Sequence, residues 1–484
     1  MLLFALGGRG YSQGAINLDI RIQDSIVESA ALFKKLQLTN PLSVRYSAVY
    51  SKIEQIIGFY ENTGYPFVQV SFDSVSPVSS GISGILWIRP GDLVTIDTIM
   101  NRTGFKISSP VLYRLMNIRP GDRYRETVIR EASSRLGQLS YIKQARPLEV
   151  GFHPGKASVY VYPEKAGTNR FDGWIGLSPD LRAGGKLAFS GKLALTLNNI
   201  LNQGENMLFD WQRNQDGSQR LNLGAHIPYL AGLPLGLQGK FELFRQDTSY
   251  LNLGWDVGIP YHFSPRHLIN VFLRHRESSM ISSVADDQNS SRQPFSSLLS
   301  GISWELNHLD NAINPYKGLE VKIEASTGRK SIPDSISVQQ SEFTADISWF
   351  RPLAKNLTCA LVLQSGYRKS PQTYENEQYR LGGLNLLRGF DEDVIHTDAY
   401  AVTSLELRYL LDRSSYLIAL ADFGFLRGTD NAVPVLKTPA GFGLGGQIRT
   451  AGGIFKIIFA LGKESGLPID LRNSKIHIGY VGVF

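Results

Sequence analysis

From Phe171 to the last residue, apolar and polar residues alternate with a period of two, and no helical pattern interrupts them. In residues 186–197, Leu187, Phe189, Leu193, Leu195 and Leu197 take the odd positions, while Lys186, Ser190, Lys192 and Thr196 take even ones. The phase returns in Leu251, Leu253, Trp255, Val257, Ile259 and Tyr261, set against Asn252, Asp256 and His262. It returns again in Leu319, Val321 and Ile323, set against Glu320, Lys322 and Glu324. Successive side chains of a strand point to opposite faces, so each strand gains one wet and one greasy face. Such a sheet either packs on a soluble core or closes in a bilayer around a polar lumen.

Three features favour closure in a membrane. The alternation continues for about 300 residues without a single helical segment. Turn signals such as Asp216-Gly217 and Asn314-Pro315 separate strands of about ten residues, enough to cross a bilayer when tilted. Aromatic residues near strand ends (Trp174, Tyr229, Tyr261, Trp304, Trp349) suit an interfacial girdle. Candidate strands lie at 171–178, 187–197, 206–213, 219–229, 235–245, 250–261, 268–276 and 297–307, then at 319–328, 341–350, 357–367, 400–410, 415–424, 441–449, 453–462 and 474–483. The resulting sixteen is even, as closure with both ends on one side demands. The longest gap, 368–399, falls between the eleventh and twelfth.

Composition excludes other classes. With 43% hydrophobic and 19% charged residues the chain is not a disordered one. The net charge of +7 is scattered, not clustered, so no nucleic-acid partner is expected. A single cysteine, Cys359, forbids an internal disulfide, and the eight histidines show no metal-ligand spacing. No stretch is long and apolar enough for a transmembrane helix. Residues 1–14, opening Met1-Leu2-Leu3-Phe4-Ala5-Leu6, read as the remnant of a signal peptide.

Before Gly167 helical and strand patterns mix. Arg45 to Tyr60 sets Val49, Ile53, Ile56, Ile57 and Tyr60 on one helical face, and Gly64 and Pro66 stop it. Strand-like runs follow at 67–75 and 82–88. The order recurs as a strand at 95–100, helices at 110–116 and 126–139, and strands at 142–152 and 158–161. Two small α+β domains are therefore expected, at 15–91 and 92–167, ahead of a barrel at 168–484.

The segment Tyr379 to Asp393 (YRLGGLNLLRGFDED) is too glycine-rich and charged for a strand, yet too patterned for an arbitrary loop. Its Leu387-Arg388-Gly389-Phe390 resembles the Val-Arg-Gly-Tyr/Phe signature of the BamA/TamA superfamily of outer-membrane assembly factors and secretion pores. Members of that superfamily carry periplasmic POTRA domains before a sixteen-stranded barrel, and this loop follows the eleventh strand and tucks inside. The resemblance covers essentially the whole chain. It implies a transmembrane antiparallel β-barrel in the bacterial outer membrane, preceded by two POTRA-like domains in the periplasm.

The resemblance also implies site residues. Arg388, Gly389 and Phe390 form the loop motif, and the family pairs the loop arginine with lumen carboxylates that match Glu406 and Asp422 here. Glu406 lies between Leu405 and Leu407, so alternation alone points it inward. An arginine confined in a barrel needs such partners, because an unpaired buried charge is costly. The last strand, Lys475 to Phe484, ends on an aromatic residue, and Phe484 with Gly479 resembles the signal read in barrel clients. Gly482 stands where a bulky residue is usual and is expected to weaken the seam between first and last strands.

Other patterns carry less. Gly441 to Gly446 (GFGLGG) matches a dinucleotide-binding spacing, but no helix follows, so small residues serving barrel curvature is the better reading. Lys322 between Glu320 and Glu324 argues for a solvated lumen face over an acid pair. Asn101-Arg102-Thr103 matches a glycosylation pattern of no expected use in a bacterium. No catalytic residue, metal or cofactor is expected. The expected function is insertion or translocation of polypeptides, with client strands captured by the POTRA domains and a lateral seam. Expected partners are outer-membrane lipids, unfolded β-barrel or secreted clients, and periplasmic or lipoprotein accessory subunits. The alternative is a passive outer-membrane channel or receptor, which would lack the N-terminal domains and the Arg-Gly-Phe loop.

Overall fold

The computed structural model describes the chain except residues 1–14, 24–25, 79–80, 138, 140, 181–185, 215–216, 265, 282–290, 312–313, 334, 336, 413, 431–432, 451, 467–473 and 484. The expected signal segment 1–14, Asp216 and Phe484 thus lie outside the described residues. Two compact units make up the chain. The first comprises residues to 105 with 112–137 and 142–164, and the second residues 106–111, 138–141 and everything from Lys165 onward.

The first unit opens with β1 (Ala15–Ile22), α1 (Ile26–Leu36), β2 (Leu42–Arg45), α2 (Val49–Glu61), β3 (Gln69–Val78) and β4 (Gly81–Arg89). Its sheet runs β2-β1-β4-β3, with β1 parallel to β4 and the others antiparallel. The helix expected from Arg45 starts later. Arg45 ends β2, a 3-10 turn takes Tyr46–Ala48, and α2 then buries Val49, Ile56, Phe59 and Tyr60. These pack on Leu18, Leu86 and Ile88 of the sheet in one apolar core. β3 is the outer edge, exposed over most of its length.

A second α+β layer follows: β5 (Thr95–Asn101), α3 (Ser109–Met116), α4 (Glu126–Leu136), β6 (Ile142–Gln144), β7 (Glu149–His153), β8 (Lys156–Val161) and β9 (Pro163–Lys165). The single strand expected at 142–152 is two. Pro147 cannot donate to a ladder, and β6 pairs with β9 while β7 pairs with β8.

The second unit is a closed antiparallel barrel. Its wall begins with β10 (Arg170–Asp180), β11 (Lys186–Asn198), β12 (Asn206–Arg213), β13 (Gln219–Ile227), β14 (Leu237–Gln246) and β15 (Tyr250–Ser264). β16 (His267–Met280), β17 (Phe295–Asn307), β18 (Gly318–Ser331), β19 (Val338–Ala354) and β20 (Leu357–Lys369) continue it. The short strands β21 (Tyr379–Leu381) and β22 (Ile395–Thr397) pair only with each other, inside the long loop. The wall then resumes with β23 (Ala399–Leu410), β24 (Tyr416–Asp430), β25 (Val433–Lys437), β26 (Ala440–Arg449), β27 (Ile454–Lys463) and β28 (Lys475–Val483). β25 and β26 pair with successive halves of β24, on either side of Pro439, and count as one stave. Among the described residues the wall therefore has sixteen staves and no α-helix.

Burial in β15 alternates as the sequence does. Trp255, Val257, Ile259 and Tyr261 face outward and exposed, while Asp256 and His262 are buried inward. The outward face is an apolar belt suited to acyl chains. Tyr261, Trp304 and Trp349 project outward near the rim at which β10 begins and β28 ends, here the proximal rim. Tyr229 does not join them. It lies buried after β13, its ring centroid 5.0 Å from that of His262. The side chain of Trp174 lies outside the described residues, as do those of Lys186, Leu187, Phe189 and Ser190.

Candidate functional site

Residues 370–398 leave β20 at the distal rim and return into β23. Pairing of Tyr379–Leu381 with Ile395–Thr397 makes a hairpin stem that carries the motif at its tip. The tip folds on itself, Leu384 N–H donating to Glu392 Oε1 at 3.0 Å. Leu387 is fully buried and takes φ 61°, a conformation that leucine seldom adopts and that the surrounding contacts must hold.

Arg388 is 4% exposed, and its charge is met from two strands. Its Nη2 lies 2.6 Å from Asp422 Oδ1, its Nε 2.8 Å from Asp422 Oδ2, and its backbone N–H also donates to Oδ2 at 2.8 Å. Nη1 reaches Glu406 Oε1 at 2.6 Å. Asp422 is completely buried and Glu406 nearly so, while Leu405 and Leu407 on either side of Glu406 face outward. The planar fork of arginine spans both carboxylates, which the point charge of a lysine could not do.

Arg408, which sequence reasoning did not single out, holds the other oxygen of Glu406. Its Nη2 and Nε lie 2.6 and 2.9 Å from Oε2, and its guanidinium sits between the rings of Phe350 and Tyr416 at 5.0 and 4.9 Å. Its place two residues beyond Glu406 on the same face was the available signal.

The tip also touches the last strands. Gly389 has φ 97°, and its N–H donates to His477 Nε2 of β28 at 3.3 Å. Asp391 pairs with Lys475 at 2.8 Å, and Leu384 packs over Gly479. At Gly441 of β26 a Cβ would collide with the carbonyl oxygen of Arg388. The glycine run 441–446 thus owes its first member to the approach of the loop, a finer reason than wall curvature. Phe390 is half-buried beside Gly462 of β27.

Gly482 meets Phe171 across the barrel closure. That closure consists, among the described residues, of Arg170 opposite Val483 and Phe171 opposite Gly482. On its other edge β10 pairs without a break from Arg170–Thr196 to Asp180–Lys186. Elsewhere the lumen carries paired charges. Arg274 reaches Asp256, Glu324 and Glu342 within 3.0 to 3.3 Å, and Lys322 lies 3.1 Å from Glu324. Glu320 accepts from Asn307 at 2.8 Å. No cluster of three or more metal-ligating side chains occurs among the described residues.

Residues 199–479 match the model of the Omp85 superfamily domain. The chain belongs to the Omp85 superfamily. Membership and the closed barrel place it in the bacterial outer membrane. Solved structures agree on the fold. CdiB from Escherichia coli superposes with a TM-score of 0.62 at 14% identity, over 99% of this chain and 92% of that one. BamA from Haemophilus ducreyi lacking POTRA domains 1–3 gives 0.55 at 15% identity, over 97% and 100%. CdiB from Acinetobacter baumannii gives 0.58 at 13% identity, over 97% and 90%. None of the curated proteins compared matches the sequence. A sixteen-stave Omp85 barrel after α+β domains is thus the architecture, and its motif loop carries the Arg388 group just described.

Proposed function

We propose that this Omp85 chain inserts β-barrel clients into the outer membrane or passes secreted polypeptides across it, with its N-terminal POTRA-like domains in the periplasm. The observation that carries the reading is the short closure between β10 and β28. A wall strand held along its full length is a poor gate, whereas an edge closed, among the described residues, by two residue pairs leaves backbone groups free for an incoming strand. The client would gain the hydrogen bonds that a bilayer cannot supply, so no nucleotide or metal is needed for the step.

The remaining features fit that step. Arg388, Asp422 and Glu406 lock the loop tip where it contacts His477 and Lys475 of β28, so the tip steadies one side of the gate. Gly482 puts no side chain on the closing strand at that point. In the first unit, β3 offers an exposed edge from Gln69 to Asp73 for an extended client segment. Beyond Asp73 a register shift, a positive φ at Ser74 and Pro77 blunt the same edge against uncontrolled pairing. The loop across the lumen weighs against a passive channel.

Cysteines at positions 171 and 482, with Cys359→Ser, test the reading. Oxidation should halt delivery of clients in cells, and reduction should restore it. Full delivery with the seam covalently closed would sink the lateral gate. Depletion followed by a survey of outer-membrane and secreted proteins then separates insertion from export.

A further inference from the structure

The loop is fixed at a second place that the motif does not include. Lys330, on the inward face of β18 near the distal rim, is completely buried. Its Nζ donates to Glu377 Oε1 at 2.8 Å and to the carbonyl oxygen of Gln372 at 2.5 Å. It also faces the ring of Tyr374 at 5.3 Å. One ammonium thus gathers three residues of the loop root. Glu377 Oε1 in turn accepts from the N–H of Tyr374 at 2.7 Å, which closes the single 3-10 turn Glu375–Glu377.

Asn376, in the same turn, adds neutral bonds to the wall. Its Nδ2 donates to Ser278 Oγ at 2.7 Å and to Gln293 O at 2.8 Å, and its carbonyl accepts from Asn252 Nδ2 at 2.6 Å. The root therefore rests on β15, β16 and β18, whereas the tip rests on β23, β24 and β26 to β28. The stem strand β21 lies between the two. The root also roofs a cavity of about 420 Å³ in the lumen, lined by Arg274, Glu342 and Arg368 among others.

A strut held at one end swings when that end is freed. A strut held at both ends by buried charges keeps one end in place when the other lets go, because a buried ammonium has no cheap alternative partner. We infer that Lys330 and Glu377 are positioning residues forming a second, independent latch, which keeps the distal rim closed while the Arg388 tip is released. The barrel can then cycle its tip and seam without opening a leak. The inference goes beyond the proposed function, and its readouts need no client.

The test uses the full chain with Cys359→Ser, refolded and checked by heat-modifiable gel mobility, then placed in planar lipid bilayers. Protease added from the distal side reports exposure of the loop root. Asp422→Ala should leave conductance and root cleavage within about twofold of the parent. Lys330→Met and Glu377→Gln should each raise root cleavage at least tenfold and produce long, large openings, with Asp422 intact. Exchanging the pair (Lys330→Glu with Glu377→Lys) should recover part of the protection, which a packing role would not. Glu377→Gln preserves shape, so it remains informative if Lys330→Met fails to refold. Parent-like conductance and cleavage in both single variants would overturn the second latch. Equal opening in Asp422→Ala would overturn its independence. Neither measurement involves a client, so a failure of the lateral gate would alter neither outcome.

Discussion

Ile56 and Ile259 both stand on an apolar stripe, yet the first is fully buried and the second is 56% exposed. In the first unit the apolar side packs inward, onto Leu86 and Ile88. In the barrel it faces out, and the interior holds Asp422 and Lys330 at no exposure at all. The same rule of burial acts in both regions, with water around one and acyl chains around the other. Stability in the first unit therefore rests on packing density, and in the barrel on outward apolarity and on inward charges being matched.

The largest way to break this comparison is to unmatch a charge inside. Asp422→Lys removes three hydrogen bonds from Arg388 and sets a like charge beside it, costing at least ~3–5 kcal/mol locally. Client delivery in a depleted strain should collapse, and wild-type rescue by this variant would refute the lock. Next comes a cavity in the packed unit. Ile56→Ala should cost ~2–5 kcal/mol, read by pulse proteolysis of the full chain in urea, with heat-modifiable mobility of the barrel unchanged. A charge on the outward face should act at about the same scale or below. Val257→Arg, midway along β15, should cost ~2–4 kcal/mol in unfolding from phospholipid vesicles. The smallest effect sharpens the contrast. Leu444→Phe, outward on β26, should shift that unfolding by no more than about 0.5 kcal/mol, because lipid yields where a packed core would not. A penalty comparable to overpacking a core would show that Leu444 contacts protein and not lipid.

Much of this was readable along the chain, for identifiable reasons. The sixteen staves follow from alternation because a strand's two faces are a local property of its backbone. Glu406 reads as inward for the same reason, and in the folded chain its carboxylate lies 2.6 Å from Arg388. Where local reasoning faltered, a partner distant in sequence decided. Tyr229 resembles a girdle residue until His262 is seen beside it. Residues 142–152 read as one strand until β8 and β9 claim separate halves.

By itself, the sequence determined the barrel, the inward and outward faces, the long loop and its arginine, since each follows from period, length or residue type. Tertiary structure alone decided that, among the described residues, the closure pairs β10 and β28 at Arg170 and Phe171, that Gly441 yields to the carbonyl of Arg388, and that Lys330 meets Glu377. Those contacts join segments tens to hundreds of residues apart. Their existence depends on where the closed wall brings each strand, which no periodicity records.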